Sequence, residues 1–384
     1  MVKILKIINE TFDNLLGKIP CYNTIENWVK KCGLSLYNSS GERLRSGKYA
    51  QIVDESMMIG SEKLLLTLAI PAQHQGAPLN CSNINILDMA VAESWNSERV
   101  KTQLESATSR VGNPPEYVIS DNAIILSKGI KSAGFKHQRD ISHSLGMFLE
   151  RTYKNEPDFI TYCKLMTEPK FKYNMKRVAY LLPPKQRTIA RFINMSDWIK
   201  WSSKLLEIYH TLSKQEKLIF SFIPSNASLI EELSEVMRCI NNIESLCKNK
   251  GLSEETVVKC QQEIKKGLLN GNQRMIQLGE DIGEFLKEEI KNVKTGTTHN
   301  NSSDIIESIF GKYKSRKSPN KLNGVTSFIL FMPLYTRLSG NYDHKFNFKK
   351  ALENNTIKDI NLWSKENLSQ NLMQLRNKKL NKVA

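Results

Sequence analysis

The chain has 384 residues, 40% of them hydrophobic and 24% charged, the balance of a folded globular protein and not of a disordered or fibrous one. That length exceeds the usual domain of about 100 to 200 residues, so a core with appended or inserted parts is expected. Lys and Arg outnumber Asp and Glu by 55 to 39, a formal charge of +16 that points to a polyanionic partner, with nucleic acid the first candidate.

The seven cysteines, Cys21, Cys32, Cys81, Cys163, Cys239, Cys247 and Cys260, contain no Cys-x-x-Cys pair and no His at zinc-site spacing. They read as ordinary thiols of a reducing cytoplasm. The N-terminus mixes charged and apolar residues, unlike a secretory signal, and the apolar runs fall short of the about 18 residues of a membrane span. A cytoplasmic protein with no membrane partner is expected.

Ile4, Ile7, Ile8, Phe12, Leu15 and Leu16 recur at helical spacing and predict a helix over 3–16, with Lys6, Asn9, Glu10 and Asp13 outward. Gly17 and Pro20 break it. Thr24 can cap a second helix, with Ile25, Trp28 and Val29 on its apolar face, that Gly33 ends. Two short helices across a tight turn resemble a helix-turn-helix, in which Asn27, Lys30 and Lys31 would meet phosphates and base edges. An ordinary helical hairpin has the same pattern.

From Tyr49 the period changes from 3.6 to 2. Residues 51–54, 63–70 and 85–91 are β-prone runs with turn signals between them, which fits three antiparallel strands. A helix over 96–111, a buried strand over 117–120, a helix over 123–133 and a strand over 135–141 follow, giving β-β-β-α-β-α-β and then helix. Beyond about Ser142 the strand signals stop, and helical periodicity is clearest over 205–212, 229–246, 254–269 and 275–290. A polar linker over 294–303 precedes another helix, and the tail over 365–382 reads as helical and basic.

Two of the predicted strands end in a carboxylate: Gln51-Ile-Val-Asp54 and Tyr117-Val-Ile-Ser-Asp121. A rigid strand with an open tip is a good place to present a metal ligand. A third carboxylate, Glu307, stands beside the buried helical stripe of Ile305, Ile306, Ile309 and Phe310.

This order of elements, with Ile52-Val-Asp-Glu-Ser56, Ser120-Asp-Asn-Ala123 and Asp304-Ile-Ile-Glu-Ser308, resembles bacterial insertion-sequence transposases of the Asp-Asp-Glu, RNase H-like superfamily. The likeness covers roughly residues 49–314. It implies an α/β fold: an RNase H-like mixed sheet with helices, a helix-turn-helix-like N-terminal segment and a large all-helical insertion before the last catalytic helix. The gap from Asp54 to Asp121 is 121 − 54 = 67 residues, whereas the gap to Glu307 is 307 − 121 = 186, enough for an inserted domain. Lys314 matches the second half of a Tyr-x2-Arg-x3-Glu-x6-Lys signature, while Asn300 and Ser303 stand where its Tyr and Arg would be.

The resemblance implies that Asp54, Asp121 and Glu307 are both catalytic residues and ligands of two Mg²⁺ or Mn²⁺ ions, with Asp54 the simplest bridge between them. Two such ions can activate the attacking oxygen and stabilise the leaving one during phosphodiester cleavage and strand transfer. Double-stranded DNA is the implied partner, at element ends and at target, with the protein a homodimer or higher oligomer on DNA in the nucleoid. The division expected is 1–48 helix-turn-helix-like, 49–142 first part of the core, 143–300 helical insertion, 301–340 last part of the core, and 341–384 basic tail.

Further DNA contacts are expected in two basic blocks. Residues 164–191 hold Lys185, Arg187 and Arg191 among other cations, interleaved with Phe171, Tyr173 and Tyr180. Residues 301–384 hold fifteen Lys and Arg against six acids, with Lys312 and Lys314 on the helix of Glu307. Trp198 and Trp201 invite comparison with tryptophans that stack on flipped bases, but their spacing suits a helix buried in a core. Glu55, Asp140 and His143 are neighbours of the triad for which structural roles are expected. Two other readings stay open: a catalytically silent, transposase-derived DNA-binding protein, and an RNase H-like nuclease without strand transfer.

Overall fold

The computed structural model describes residues 2–45, 47–56, 58–184, 192, 195–316, 324–338, 346–369 and 372–381. In chain order the elements are α1 (Val2–Thr11), α2 (Tyr22–Asn38), β1 (Tyr49–Glu55), β2 (Lys63–Pro71), β3 (Asn85–Ala92), α3 (Ser97–Val111), β4 (Val118–Ser120), α4 (Ile124–Ser132) and β5 (His137–Arg139). Then come α5 (Ile141–Tyr153), α6 (Pro157–Tyr173), α7 (Met195–Ile208), α8 (Lys214–Ile219), α9 (Phe222–Ser225), α10 (Ala227–Lys250), α11 (Glu254–Gly267) and α12 (Gln273–Glu289). The last are α13 (Asp304–Lys314), α14 (Met332–Leu338), α15 (Phe348–Asn354), α16 (Ile357–Asn367) and α17 (Leu372–Leu380).

The chain forms two compact units, one from Met1–Ala72, Leu79–His137 and Ser303–Ala384, the other from Gln73–Pro78 and Gln138–Ser302. The strands form a five-stranded mixed sheet in the order β3-β2-β1-β4-β5, with β1 to β4 in the first unit and β5 beginning at His137, where that segment of the unit ends. β1 pairs antiparallel with β2 and β2 with β3, whereas β1 and β4 run parallel.

Strand alternation splits this unit's core between two faces of the sheet. Ile52 of β1 and Ile119 of β4 pack with Ile305, Ile306, Ile309 and Phe310 of α13. Val53 and Val118, the next positions in the pleat, pack instead with Val100 and Leu104 of α3 and Leu126 and Ile130 of α4. Each fully buried aliphatic side chain contributes about 1.5–3 kcal/mol.

Four expectations for local structure need correction. The first helix stops at Thr11, not at Leu16, because Asp13 and Asn14 take positive φ of 46° and 61°. Asn9, expected outward, is buried: its amide donates to the Gly17 carbonyl at 2.9 Å and accepts from Leu16 N–H at 2.7 Å, holding that turn together. Ile4, Ile7, Phe12, Leu15 and Leu16 are exposed, as are Lys6, Glu10 and Asp13.

Gly33 does not end the second helix, which runs on to Asn38. Its hydrogen faces the chain before α14 so closely that a Cβ would sit 1.8 Å from the Leu330 carbonyl oxygen. The glycine serves a close approach of backbones. The fifth strand ends at Arg139 because the Asp140 side chain accepts the His143 N–H at 2.8 Å and caps α5.

The second unit is a helical bundle with its own core, in which Phe159, Tyr162, Trp198, Leu233, Ile240, Ile282 and Phe285 are buried. Arg274 of α12 ties its helices together, bonding Glu232 of α10 at 2.6 Å and Asp158 of α6 at 2.8 Å. Glu289, at the end of α12, is buried and accepts from Arg139 N–H at 3.0 Å, from the Arg139 guanidinium and from Gln138. Among the described residues, no helix is long and apolar enough to cross a membrane.

Candidate functional site

The parallel ladder of β1 and β4 aligns Gln51 with Val118 and Ile52 with Ile119. Two residues beyond Ile52 lies Asp54, and two beyond Ile119 lies Asp121. Neighbouring strands are about 4.8 Å apart, so Asp54, near the end of β1, and Asp121, just beyond the end of β4, follow aligned positions of adjacent strands. Alternation gives Asp54 the face of Ile52, which is the face that α13 covers. Both aspartates are half-buried. Asp121 begins a turn in which its Oδ1 accepts the Ala123 N–H at 2.9 Å, so its side chain is held at the strand tip and α4 starts immediately after it.

Glu307 lies in the first turn of α13 and is exposed, flanking the stripe of Ile306, Ile309, Phe310 and Tyr313 that packs on the sheet. A carboxylate in a first helical turn also meets the positive end of the helix dipole, as does its neighbour Asp304. The three predicted residues thus belong to one unit, Asp54 on β1, Asp121 just beyond β4 and Glu307 on α13, whose neighbours Ile52, Ile119 and Ile306 share one buried cluster. Three carboxylates are hard donors of the kind Mg²⁺ and Mn²⁺ take. Among the described residues, however, no group of three or more His, Cys, Asp or Glu is arranged to hold a metal ion, so these three do not stand as a closed ligand cage.

No protein-family model matches the chain, and no curated protein matches it.

The residues around the triad have structural partners. Glu55 forms an ion pair with Lys63 at 2.7 Å across the β1–β2 ladder. Asp140 caps α5, as described above. Trp198 is buried against Phe159 and Tyr162, and half-buried Trp201 donates its Nε1–H to the Leu181 carbonyl at 3.0 Å, so both belong to the core of the helical unit. A residue that the sequence reading passed over is His137, whose Nε2 lies 2.8 Å from the Ser120 hydroxyl, next to Asp121. Its spacing carries no signal; only the pairing of β4 and β5 brings it there.

Of the expected DNA contacts, Asn27, Lys30 and Lys31 are half-buried on α2. Lys30 pairs with Glu26, and the Lys31 ammonium donates to the Leu352 carbonyl at 3.2 Å. Lys185, Arg187 and Arg191 lie outside the described residues. The part of that basic block that is described exposes Lys164, Lys172, Lys176 and Arg177 together with Phe171 and Tyr180. The ammonium groups of Lys172 and Lys176 sit 5.6 and 5.1 Å from the centre of the Tyr173 ring.

Lys312 lies 5.7 Å from the Tyr335 ring and Lys314 5.8 Å from the Phe310 ring, both in the last turn of α13, where cations complement the helix dipole. Burial pushes the Tyr335 phenol up, while Arg316 and Lys312 pull it back.

Proposed function

We propose that the chain is a DNA transposase of the Asp-Asp-Glu type, built on an RNase H-like core, that cleaves and joins DNA strands at the ends of a mobile element. One observation carries the reading: the parallel pairing of β1 and β4 aligns Ile52, two residues before Asp54, with Ile119, two residues before Asp121, and the helix of Glu307 packs on the face of Ile52 and Ile119. The excess of 55 basic over 39 acidic residues supports a DNA partner.

In this reading Asp54, Asp121 and Glu307 would hold two Mg²⁺ or Mn²⁺ ions once DNA supplies the remaining oxygen ligands. Such ions would activate the attacking oxygen, water for cleavage and a DNA 3′-hydroxyl for joining, and stabilise the leaving one. The rigid strand tips fix the positions of the two aspartates, while α13 carries Glu307 at one end and the phosphate-binding cations Lys312 and Lys314 at the other. Duplex DNA at element end and target, a homodimer or higher oligomer on that DNA, and action at the nucleoid complete the proposal. The exposed Ile4, Ile7 and Phe12 of α1 offer apolar area to a second copy.

The test is to incubate the protein with Mg²⁺, a supercoiled plasmid and DNA fragments carrying the inverted repeats that flank its reading frame. Cleaved ends and joined products are expected. Cleavage without joining would favour an RNase H-like nuclease, and binding without either product a silent, transposase-derived DNA-binding protein.

A further inference from the structure

We propose that a groove among α2, α13, α14 and α15 receives helix α1 of a second copy of this chain, and that the exchange is reciprocal. The inference concerns the free chain and needs neither DNA nor metal, so it does not depend on the transposase reading. Ile25 and Val29 of α2, Leu334 of α14 and Leu352 of α15 give the groove an aliphatic wall. Trp28, Phe331, Tyr335 and Phe348 add aromatic surface, and Lys312 and Arg316 supply its charge. Its volume is about 610 Å³, that of a built binding site.

The groove stands open, with Trp28 43% exposed. The same chain carries a convex counterpart. Ile4 and Ile7 of α1 are each 61% exposed, and half-buried Ile8 adjoins them, so three isoleucines stand at i, i+3 and i+4. That is the anchor spacing of an amphipathic helix laid in an apolar groove. Two apolar surfaces left in water on one chain are both covered if each copy lends its helix to the other.

Charge gives the direction of entry. Lys3 and Lys6 lie in the first half of α1 and Glu10 in its last turn, where the helix dipole is also negative. The Lys312 ammonium and Arg316 guanidinium lie 5.7 and 5.9 Å from the centre of the Tyr335 ring, so the positive charge of the groove is gathered at one place. Helix α1 therefore enters with its C-terminal end beside these two cations.

The chain's own α1 is held in another direction. The Asn9 side chain accepts from Leu16 N–H at 2.7 Å and donates to the Gly17 carbonyl at 2.9 Å, while the Asn9 carbonyl accepts from Asn14 N–H at 2.8 Å. These bonds close the end of α1 onto a turn just before α2, and folding back onto the groove of the same chain would strain them. A second copy brings its helix with that turn intact. One helix and one groove per chain are both satisfied by two-fold pairing, which closes at a dimer.

The experiment is sedimentation equilibrium of the full chain in EDTA without DNA, over a range of concentration. A monomer–dimer equilibrium is expected. Ile4→Asp with Ile7→Asp, and separately Trp28→Ala, should each raise the dimer dissociation constant about thirtyfold or more, the size of a lost hot spot. Glu10→Arg or Arg316→Glu alone should weaken the dimer, and the two together should return it to within about threefold of wild type. All of these side chains are exposed, and circular dichroism melting verifies that each variant is folded. To place the contact, p-benzoylphenylalanine is put at position 7 in an equal mixture of ¹⁵N-labelled and unlabelled chains. Photolysis should join labelled to unlabelled chain at peptides that contain Trp28 or Leu352.

A chain that stays monomeric would overturn the proposal, as would a dimer indifferent to the α1 or the groove variants, or a charge swap that restores nothing. Cross-links confined to one chain would also overturn it, since the groove would then hold its own helix. With DNA and metal absent, this pairing can fail while cleavage and joining succeed, and the reverse.

Discussion

Glu62 is buried, and its Oε2 accepts the Val325 N–H at 2.8 Å. Burial raises its carboxyl above the usual range, Glu93 adds to the rise, and the Val325 bond opposes it. Below the ordinary carboxyl range both folded and unfolded chains hold this proton, and the site favours folding. As pH rises through the elevated value, the folded chain must ionise a buried group that the unfolded chain has already ionised at lower cost, so that stability is lost. Glu62→Gln should remove this component: wild type gains relative to the variant in acid and loses relative to it near neutrality. Urea unfolding of both proteins from pH 4 to 7 checks this, and a difference that does not change with pH would contradict it.

Glu289 shows the same burial with a stronger set of partners. It is 4% exposed and receives bonds from Gln138, from the Arg139 backbone and from the Arg139 guanidinium. Glu289→Ala leaves these donors facing an empty site and should destabilise the helical unit by about 3 kcal/mol. Glu289→Gln, which keeps an acceptor, should lose less than Ala does. Urea midpoints measure both, and equal losses in the two variants would mean that side-chain volume matters more than the bonds.

At the scale of the element, periodicity found most of the helices and strands because one-sided burial imposes a period of 3.6 or 2 on the sequence. The strand that carries Asp54 and the helical stripe around Glu307 were legible for that reason. Asn9 and Gly33 were misread because each answers to a contact absent from the local pattern. Asn9 holds a turn in residues 14–17, and Gly33 meets a carbonyl almost 300 residues away in sequence.

Gly33→Ala follows from this. Ala would improve helix propensity by about 1 kcal/mol, but its Cβ would lie 1.8 Å from a backbone oxygen that cannot rotate away. The clash wins, and a net loss of about 2 kcal/mol is expected. Thermal unfolding measures it; an unchanged or higher melting temperature would show that α2 shifts freely at this point.

At the scale of the whole molecule, the discontinuous first unit was legible from spacing. The interval of 186 residues between Asp121 and Glu307 is too long for a strand and a helix, and the strand signal vanishes within it. What spacing could not give is the sheet order or the parallel pairing of β1 with β4. These depend on which distant segments meet, and a single sequence records that only indirectly. The central claim is that Asp54, Asp121 and Glu307 act as one metal-dependent centre. The measurement that tests it most directly is Mg²⁺-dependent DNA cleavage by Asp54→Asn, Asp121→Asn and Glu307→Gln, each paired with its DNA affinity. The account predicts that every variant loses cleavage by a factor of about 10³ or more while binding DNA within about threefold of wild type; cleavage at near wild-type rate by any one of the three would contradict it.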